Sequence, residues 1–234
     1  MPDDVSWFGE HLIAWYEDHG RAFPWRIARS PYRILVAERM LHRTQAIQVA
    51  GVYRLFLERY PDVPALAAAG PADVLSILAP LGLAWRFATF IPMARHLIDH
   101  HGGRVPATLE DLLTVPGVGP YTAAAVLAFA FDQPVAVVDT NTIRVAGRFL
   151  HAAQWVGDAR KRRAVSGAVS RLLDPSRPAT SNYALLDLGA LVCVARTPLC
   201  PICPVARRCR YRQLASTVAI QPHSIDPLEE PHDE

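Results

Sequence analysis

The apolar positions of this 234-residue chain recur mainly at helical spacing. Hydrophobic residues three and four positions apart, together with helix-forming composition, predict helices along most of the chain. The predicted helices span residues 5–18, 31–59, 71–79, 86–100, 108–114, 120–131, 140–150, 158–173 and 179–193. Only the segment PVAVV, from Pro134 to Val138, has strand-like composition, and it is too short and isolated to form a sheet. The expected fold class is all-α.

Composition makes this a globular chain without a membrane partner. Hydrophobic residues make up 51% of it, and the longest apolar run, Ala123 to Phe131, is about half the length of a membrane span. The N-terminus, MPDDVSWFGE, is acidic and polar, unlike a signal peptide, so we expect a cytoplasmic protein. Residues 213–234 contain few apolar residues and three prolines, which predicts a disordered acidic tail.

The charge is distributed unevenly along the chain. The net charge is only +2, but residues 156–212 contain eleven basic and three acidic residues. A basic segment of this size favours a polyanionic partner such as DNA, although a solvated helical face is an equally good explanation.

Two predicted helices are interrupted by the glycine-rich turn VPGVG at residues 115–119. Glycines permit positive φ angles and allow another molecule to approach the backbone closely. Amide groups of such a turn and of the following helix N-terminus can bind a phosphate. An ordinary turn between helices would need one glycine, whereas the fuller pattern from Leu113 to Ala123 favours a phosphate site. The expected phosphate contacts are Val115, Gly117, Val118, Gly119 and Thr122.

All four cysteines fall within seventeen residues, with the spacing C-x6-C-x2-C-x5-C. In a cytosolic chain this clustering argues for a metal site and against disulfides. Four thiolates suit either a tetrahedral zinc ion or a [4Fe–4S] cluster, although zinc ribbons usually have two C-x2-C pairs. Arg196 lies in the first cysteine loop, where it is a candidate phosphate contact. The expected metal ligands are Cys193, Cys200, Cys203 and Cys209.

An acidic residue follows the strand-like segment in the sequence VVDTN. Asp139 precedes a predicted helix, so it is a candidate helix N-cap. It also lies twenty residues after Gly119.

The glycine turn, the aspartate and the cysteine cluster together resemble the endonuclease III/MutY superfamily of helix-hairpin-helix DNA glycosylases, over residues 8–212. The resemblance implies a two-domain fold: residues 30–135 form a helical domain with the hairpin, and residues 1–29 plus 136–212 form a domain with one [4Fe–4S] cluster. It also implies that Asp139 is the catalytic carboxylate. Such a group would stabilise positive charge on the sugar after the target nucleotide is flipped from the duplex.

The N-terminal third is more similar to MutY and to the thymine/uracil mismatch glycosylases than to endonuclease III. The matching stretches are WY at 15–16, FPWR at 23–26 and PYRILVAERML at 31–41. The resemblance puts Glu38 and Arg26 in the base pocket, where Glu38 can act as an acid or hydrogen-bond the base. A plainer interpretation makes Glu38 an ion-pair partner of Arg26 or Arg39.

Three departures from MutY favour thymine or uracil opposite guanine as the substrate. His42 and Arg43 precede Gln45 where MutY has two glutamines and the mismatch enzymes have two arginines. Leu83 stands where MutY has a tyrosine that wedges into the duplex. The sequence ends in a polar tail where MutY continues into a domain that recognises 8-oxoguanine. By the same resemblance, Arg43 and Leu83 fill the gap and contact the widowed guanine.

Position 121 bears on whether the DNA strand is also cut. Endonuclease III has a lysine there, whose amine forms a Schiff base with the sugar. Tyr121 cannot form one, and Asn141 fits both monofunctional relatives, so we expect base removal with little or no lyase activity.

These inferences predict a monofunctional glycosylase of base excision repair. Its partner is double-stranded DNA containing a mismatched or damaged base, and the abasic product passes to a separate AP endonuclease. We expect a monomer. The alternatives are a MutY-like enzyme that removes adenine opposite guanine or 8-oxoguanine, and a non-catalytic protein that binds DNA structure.

Overall fold

The computed structural model describes residues 2–82, 84–150 and 159–218. Throughout these ranges the regular structure is helical and no strand is assigned, which confirms the all-α prediction. The helices are α1 (Pro2–His19), α2 (Pro24–Ile27), α3 (Pro31–Leu41), α4 (Ala46–Arg59), α5 (Val63–Ala67), α6 (Pro71–Leu78), α7 (Phe90–His101), α8 (Leu109–Thr114), α9 (Pro120–Phe131), α10 (Thr140–Leu150), α11 (Ala159–Leu172), α12 (Pro178–Leu191) and α13 (Arg210–Val218). Short 3-10 turns lie at Ala79–Leu81, Ala84–Phe87, Cys200–Ile202 and Ala206–Arg208.

Several helices begin and end at residues suited to these positions. The side chain of Ser30 caps α3 and is followed by a proline, and Thr108 caps α8 by accepting a hydrogen bond from the Asp111 amide. Helix α7 ends at Gly102 with φ 59°, and α9 ends at Asp132 with φ 50°. Left-handed residues at these ends stop each helix and redirect the chain.

The prediction of one helix over residues 31–59 is wrong, because a turn between Leu41 and Ala46 divides it into two helices. Arg43 has φ 60°, a left-handed conformation that a right-handed helix cannot include. The predicted helix at 86–100 also begins later than expected, at Phe90, after the 3-10 turn.

The strand-like segment at 134–138 forms no strand, since no regular structure is assigned to these residues. The side chain of Asn182 replaces the missing partner. Its Oδ1 accepts a hydrogen bond from the Val137 amide at 2.8 Å, and its Nδ2 donates to the Val135 carbonyl at 3.0 Å. A buried backbone is satisfied in this way without a sheet.

Two hydrophobic cores lie on either side of α12. The first is formed almost entirely by side chains between Trp25 and Val137, with α9 packed against α3 at its centre. The second joins α1 to α10, α11 and the end of α12. Tyr183 of α12 stacks on Phe129 of α9 with ring centroids 3.9 Å apart, so α12 connects the two cores.

The C-terminal segment is described as far as Val218. Helix α13 continues past residue 213, and the remainder of the expected acidic tail, from residue 219, lies outside the described residues. None of the helices in the described ranges has the length and apolar character needed to cross a membrane.

Candidate active site

A cavity of about 260 Å³ lies where helices of the two cores meet. Helices α3 and α9 contribute from the first core, and α10 and α12 form the opposite side. Five of the predicted site residues line this one cavity: Arg26, Glu38, Tyr121, Asp139 and Asn141. Residues far apart in the sequence thus meet in one concave site with convergent polar groups, as expected for a ligand pocket.

Glu38 is the buried acid of this cavity. It is 4% exposed, and its Oε2 has no hydrogen-bond partner among the described residues. Burial raises its pKa to about 7, and the charge of Asp139 acts in the same direction, while Arg26 and a hydrogen bond with Tyr121 oppose the shift. A carboxyl group with this pKa can both donate and accept a proton near neutral pH.

Tyr121 lies between Glu38 and the hairpin. The residue is 37% exposed, and both Tyr121 and the buried Glu38 line the cavity. Burial and the nearby charges of Glu38 and Asp139 raise its pKa well above the ordinary value, so the hydroxyl stays protonated.

The arginine of the cavity is held by a different acid from the one considered in the sequence. Arg26 donates two hydrogen bonds to Asp187, at 2.7 Å and 2.9 Å, and Arg21 binds the same carboxylate through its backbone and side chain. Asp187 is fully buried, which raises its pKa, but the hydrogen bonds and charge of Arg26 outweigh this effect and hold the pKa below the ordinary value. Glu38 is therefore not the ion-pair partner of Arg26.

Asp139 is both the N-cap of α10 and a wall of the cavity. Its Oδ1 accepts hydrogen bonds from the amides of Asn141 and Thr142, each at 2.8 Å, and its Oδ2 accepts one from Asn141 Nδ2 at 2.7 Å. These donors hold the carboxylate in one orientation at the cavity wall. The two interpretations of Asp139 from the sequence are thus compatible.

Asn141 connects Asp139 to the start of the cysteine segment through Arg144. The guanidinium of Arg144 donates to Asn141 Oδ1, to the Gly189 carbonyl and to the Cys193 carbonyl, each at 2.8 Å. Helix α12 approaches α10 closely here, because a Cβ at Gly189 would lie 2.8 Å from the Asn141 Cβ.

The glycine turn joins α8 to α9 as a hairpin. Gly117 has φ 79°, which favours glycine, and the Val118 amide closes the turn by donating to the Val115 carbonyl at 3.0 Å. The next residues, Gly119 and Thr122, lie at the N-cap and in the first turn of α9, where amide groups are available to an anion.

The predicted duplex contacts surround the turn between α3 and α4. His42 ends α3, Arg43 adopts the left-handed conformation and Gln45 begins α4, all with exposed positions. The intervening Thr44 lines the cavity, so this turn forms part of its edge. Leu83 lies outside the described residues.

The four cysteines line a second cavity, together with Arg148 and residues of the loop that follows α12. None of them forms a disulfide, and burial, with the neighbouring thiols, raises the pKa of Cys203 to about 11. Over the described ranges no three His, Cys, Asp or Glu side chains are grouped tightly enough for a single metal ion. Four thiols around one cavity are the set of ligands that either a tetrahedral zinc ion or a [4Fe–4S] cluster requires. Arg196 lies on the exposed surface of this loop.

Comparison with known proteins identifies the family. The helix-hairpin-helix motif model matches residues 100–129, which include α8, the turn and most of α9. The adenine DNA glycosylase of Mycolicibacterium smegmatis is 41% identical over 89% of this chain and 71% of its own length. The thymine-DNA glycosylase of Aeropyrum pernix is 39% identical over 86% of this chain and 92% of its own length. The chain belongs to the helix-hairpin-helix DNA glycosylases.

The fold of this glycosylase agrees with that assignment. The solved structure of a thermostable thymine-DNA glycosylase superimposes with a TM-score of 0.84 at 30% identity, covering 91% of this chain and 98% of the other. The chain is therefore a DNA glycosylase, and its helix-hairpin-helix motif supports DNA binding. Relatives of both adenine and thymine specificity leave the target base open.

Sequence reasoning missed three polar residues of the glycosylase's pocket and its support. Asp187 pairs with both Arg26 and Arg21. Arg26 also donates to the Arg21 carbonyl at 2.9 Å, and its guanidinium lies 4.5 Å from the Tyr183 ring centre. The available signal was a single acid inside the apolar run YALLDLGAL, because an acid buried in a helix requires a cationic partner.

Proposed function

We propose that this glycosylase is monofunctional and hydrolyses the N-glycosidic bond of thymine or uracil opposite guanine in duplex DNA. The observation that supports the reaction type is a single cavity lined by an anchored carboxylate, Asp139, and a buried acid, Glu38, whose pKa is about 7. One carboxylate held by hydrogen bonds and one buried acid in the same pocket suit the different roles of hydrolysis.

The two acids divide the chemistry between them. As the bond between the base and C1′ breaks, positive charge develops on the sugar, and the Asp139 carboxylate stabilises it. Protonated Glu38 donates its proton to the departing base, which leaves with the bonding electron pair. Water, oriented by Asp139, attacks C1′ and transfers a proton to the Glu38 carboxylate, which restores the acid and leaves an abasic site.

Tyr121 accounts for the expected absence of strand cleavage. Its hydroxyl stays protonated because burial and the nearby acids raise its pKa, and a phenol cannot form a Schiff base with the sugar. We infer that the abasic product remains uncut and is processed by a separate AP endonuclease.

The preference for a pyrimidine opposite guanine rests on the turn between α3 and α4. A histidine and an arginine, His42 and Arg43, stand at the cavity edge, and a guanidinium suits the acceptor edge of guanine. The similarity to a thymine-DNA glycosylase over 92% of that protein supports the same choice. We assign Gln45 and Leu83 to the same duplex contact, and the hairpin residues Val115, Gly117, Val118, Gly119 and Thr122, with Arg196, to phosphate binding.

The four cysteines would hold one [4Fe–4S] cluster. When bound, such a cluster cross-links the C-terminal loop through iron–thiolate bonds. The residues of this chain then keep the loop in position: Arg148 donates to the carbonyls of Val194 and Ala195, each at 2.7 Å, and its Nη1 lies 3.4 Å from Cys193 Sγ. Purified protein should contain iron and sulfide, and stoichiometric zinc without iron would contradict this assignment.

Adenine removal is the second candidate. The supporting observation is the 41% identity to the adenine DNA glycosylase of Mycolicibacterium smegmatis. An excision assay on G:T, G:U, G:A and 8-oxoguanine:A duplexes separates the two, with an alkali step to distinguish base loss from strand cutting. Excision of T and U opposite G supports our proposal, and excision of adenine alone would overturn it.

Asp139→Asn tests the reaction type in the same assay. Asparagine retains the helix cap, so we expect a folded protein that binds the mismatched duplex but does not excise the base. Excision at the wild-type rate would refute the proposed role of Asp139. Binding without excision by both the variant and the wild type would refute the substrate assignment.

A further inference from the structure

A third arginine connects the base pocket to the phosphate-binding hairpin. Arg39 follows Glu38 on α3, but its side chain extends to the other side of the helix. Its guanidinium donates through Nη1 to the Gly117 carbonyl and through Nη2 to Thr89 Oγ1, the latter at 2.7 Å. Thr89 immediately precedes α7.

The fit between Arg39 and the hairpin is close. A Cβ at Gly117 would lie 2.7 Å from both Arg39 Nη2 and Thr89 Oγ1. Since real Cβ atoms do not approach other atoms so closely, the absence of a side chain at Gly117 allows the guanidinium to reach the turn. Two features therefore favour glycine at position 117: its positive φ and the close contact with the Arg39 guanidinium.

Arg39 fixes the orientation of one peptide unit in the turn. The Gly117 carbonyl binds Arg39, while the amide of the same peptide, on Val118, donates to the Val115 carbonyl at 3.0 Å. A planar trans peptide with both polar ends bonded cannot rotate without breaking one of them. The flanking Gly119 amide and the N-terminus of α9 are thereby held in one position.

We propose that Arg39 is a positioning residue for DNA binding, which pre-organises the hairpin for the phosphate and holds it at a fixed distance from the base pocket on α3. This inference rests on the proposed function, in which the hairpin binds the strand whose base enters the pocket. Arg39 acts through the hairpin and does not itself contact the phosphate, because its guanidinium is half-buried and bonded to Gly117 and Thr89.

The experiment compares Arg39→Met with Arg33→Met in the full-length protein. Arg33 is an exposed residue of the same helix, so the control removes the same charge without disturbing the hairpin. Single-turnover excision on a G:U duplex gives the half-saturating protein concentration and the saturating rate constant. Loss of charge-assisted hydrogen bonds should raise the half-saturating concentration about tenfold in Arg39→Met. The saturating rate constant should change by less than about twofold, because the interaction is equally present in ground and transition states.

The salt dependence of binding to an undamaged duplex separates positioning from direct contact. A residue that neutralises a phosphate reduces the slope of log K against log salt by about 1, whereas Arg39→Met should weaken binding with an unchanged slope. Thr89→Val should weaken binding less and should add little to Arg39→Met, because both act through one contact. Arg39→Lys should weaken binding less than Arg39→Met. An ammonium keeps the charge but lacks the planar pair of donors that binds the Gly117 carbonyl and Thr89 Oγ1 together.

The inference is overturned if Arg39→Met and Arg33→Met have the same half-saturating concentration. It is also overturned if Arg39→Met lowers the saturating rate constant at unchanged affinity, or if it lowers the slope of log K against log salt by about 1. Circular dichroism verifies folding of each variant, and Thr89→Val, which retains Arg39, provides the test if Arg39→Met does not fold. Failure of the wild-type protein to excise any base would instead refute the proposed function, while its salt-dependent binding would still test Arg39.

Discussion

Replacing Glu38 with glutamine should make the protein more stable at alkaline pH while removing its proton donor. The wild-type carboxyl has a pKa of about 7 in the native state, against 4.5 when exposed. Between these values the native state binds a proton that the unfolded chain has released, so the free energy of unfolding falls as the pH rises through this range. This difference in pKa lowers the free energy of unfolding by about 3 kcal/mol, and the whole effect is present at pH 8.

The glutamine variant has no such titration, so its stability relative to the wild type should increase with pH. The difference should be small near pH 4.5 and about 3 kcal/mol at pH 8, or roughly 6–12 °C in Tm for a chain of this length. Thermal unfolding followed by circular dichroism at several pH values measures this difference, and the pH dependence of all other groups cancels between the two proteins. Glu58→Gln, on the exposed side of α4, is the matched control and should follow the wild-type curve.

A difference in Tm that does not change with pH, or that decreases as the pH rises, would refute this account of Glu38. The same variant should lose the inflection near pH 7 in the single-turnover excision rate, which in the wild type should fall as the pH rises because the protonated form donates to the base.

Three other outcomes are expected. Asp187→Asn leaves Arg26 without its buried anion and should lower the free energy of unfolding by about 3–5 kcal/mol, as measured by urea denaturation; an unchanged midpoint would contradict the ion-pair geometry. Arg144→Met removes the donor to Asn141, together with the bonds to the Gly189 and Cys193 carbonyls, and should slow excision about tenfold at saturating DNA because Asn141 is no longer held beside Asp139; a change in affinity alone would mean that Arg144 acts on DNA binding. Borohydride should trap no covalent complex between the wild-type protein and DNA, whereas Tyr121→Lys supplies an amine at that position and should be trapped; trapping of the wild type would identify a different nucleophile.

Local sequence signals predicted most helices but not the break that shapes the cavity edge. Periodicity continues across residues 31–59, and nothing in HRTQ resembles a proline or glycine stop. The break depends on a left-handed arginine, which local propensity disfavours and which only the surrounding packing can enforce. The segment at 134–138 shows the converse. Its composition is strand-like, but no strand forms there, and hydrogen bonds to its backbone come from Asn182, 45 positions after Val137.

The sequence predicted five residues that line the pocket but not the residues that hold them in place. Residues of the hairpin, Glu38 and Asp139 were found because each belongs to a motif or interrupts an apolar helix. Asp187 and Arg144 act through tertiary contacts across more than forty positions, as in the bond from Arg144 to the Cys193 carbonyl, and no spacing rule connects them. Likewise, the contact between Arg39 and Gly117 joins two elements 78 positions apart.

The double role of Asp139 has a genetic consequence. Because asparagine caps a helix as well as aspartate does, one G-to-A transition in this codon yields a protein that folds and still binds its duplex. Such a protein would occupy mismatches without repairing them and would shield them from the intact enzyme in a cell that contains both. The mutation itself is the product of cytosine deamination on the complementary strand, so the damage that the proposed enzyme repairs can also produce the substitution expected to disable it.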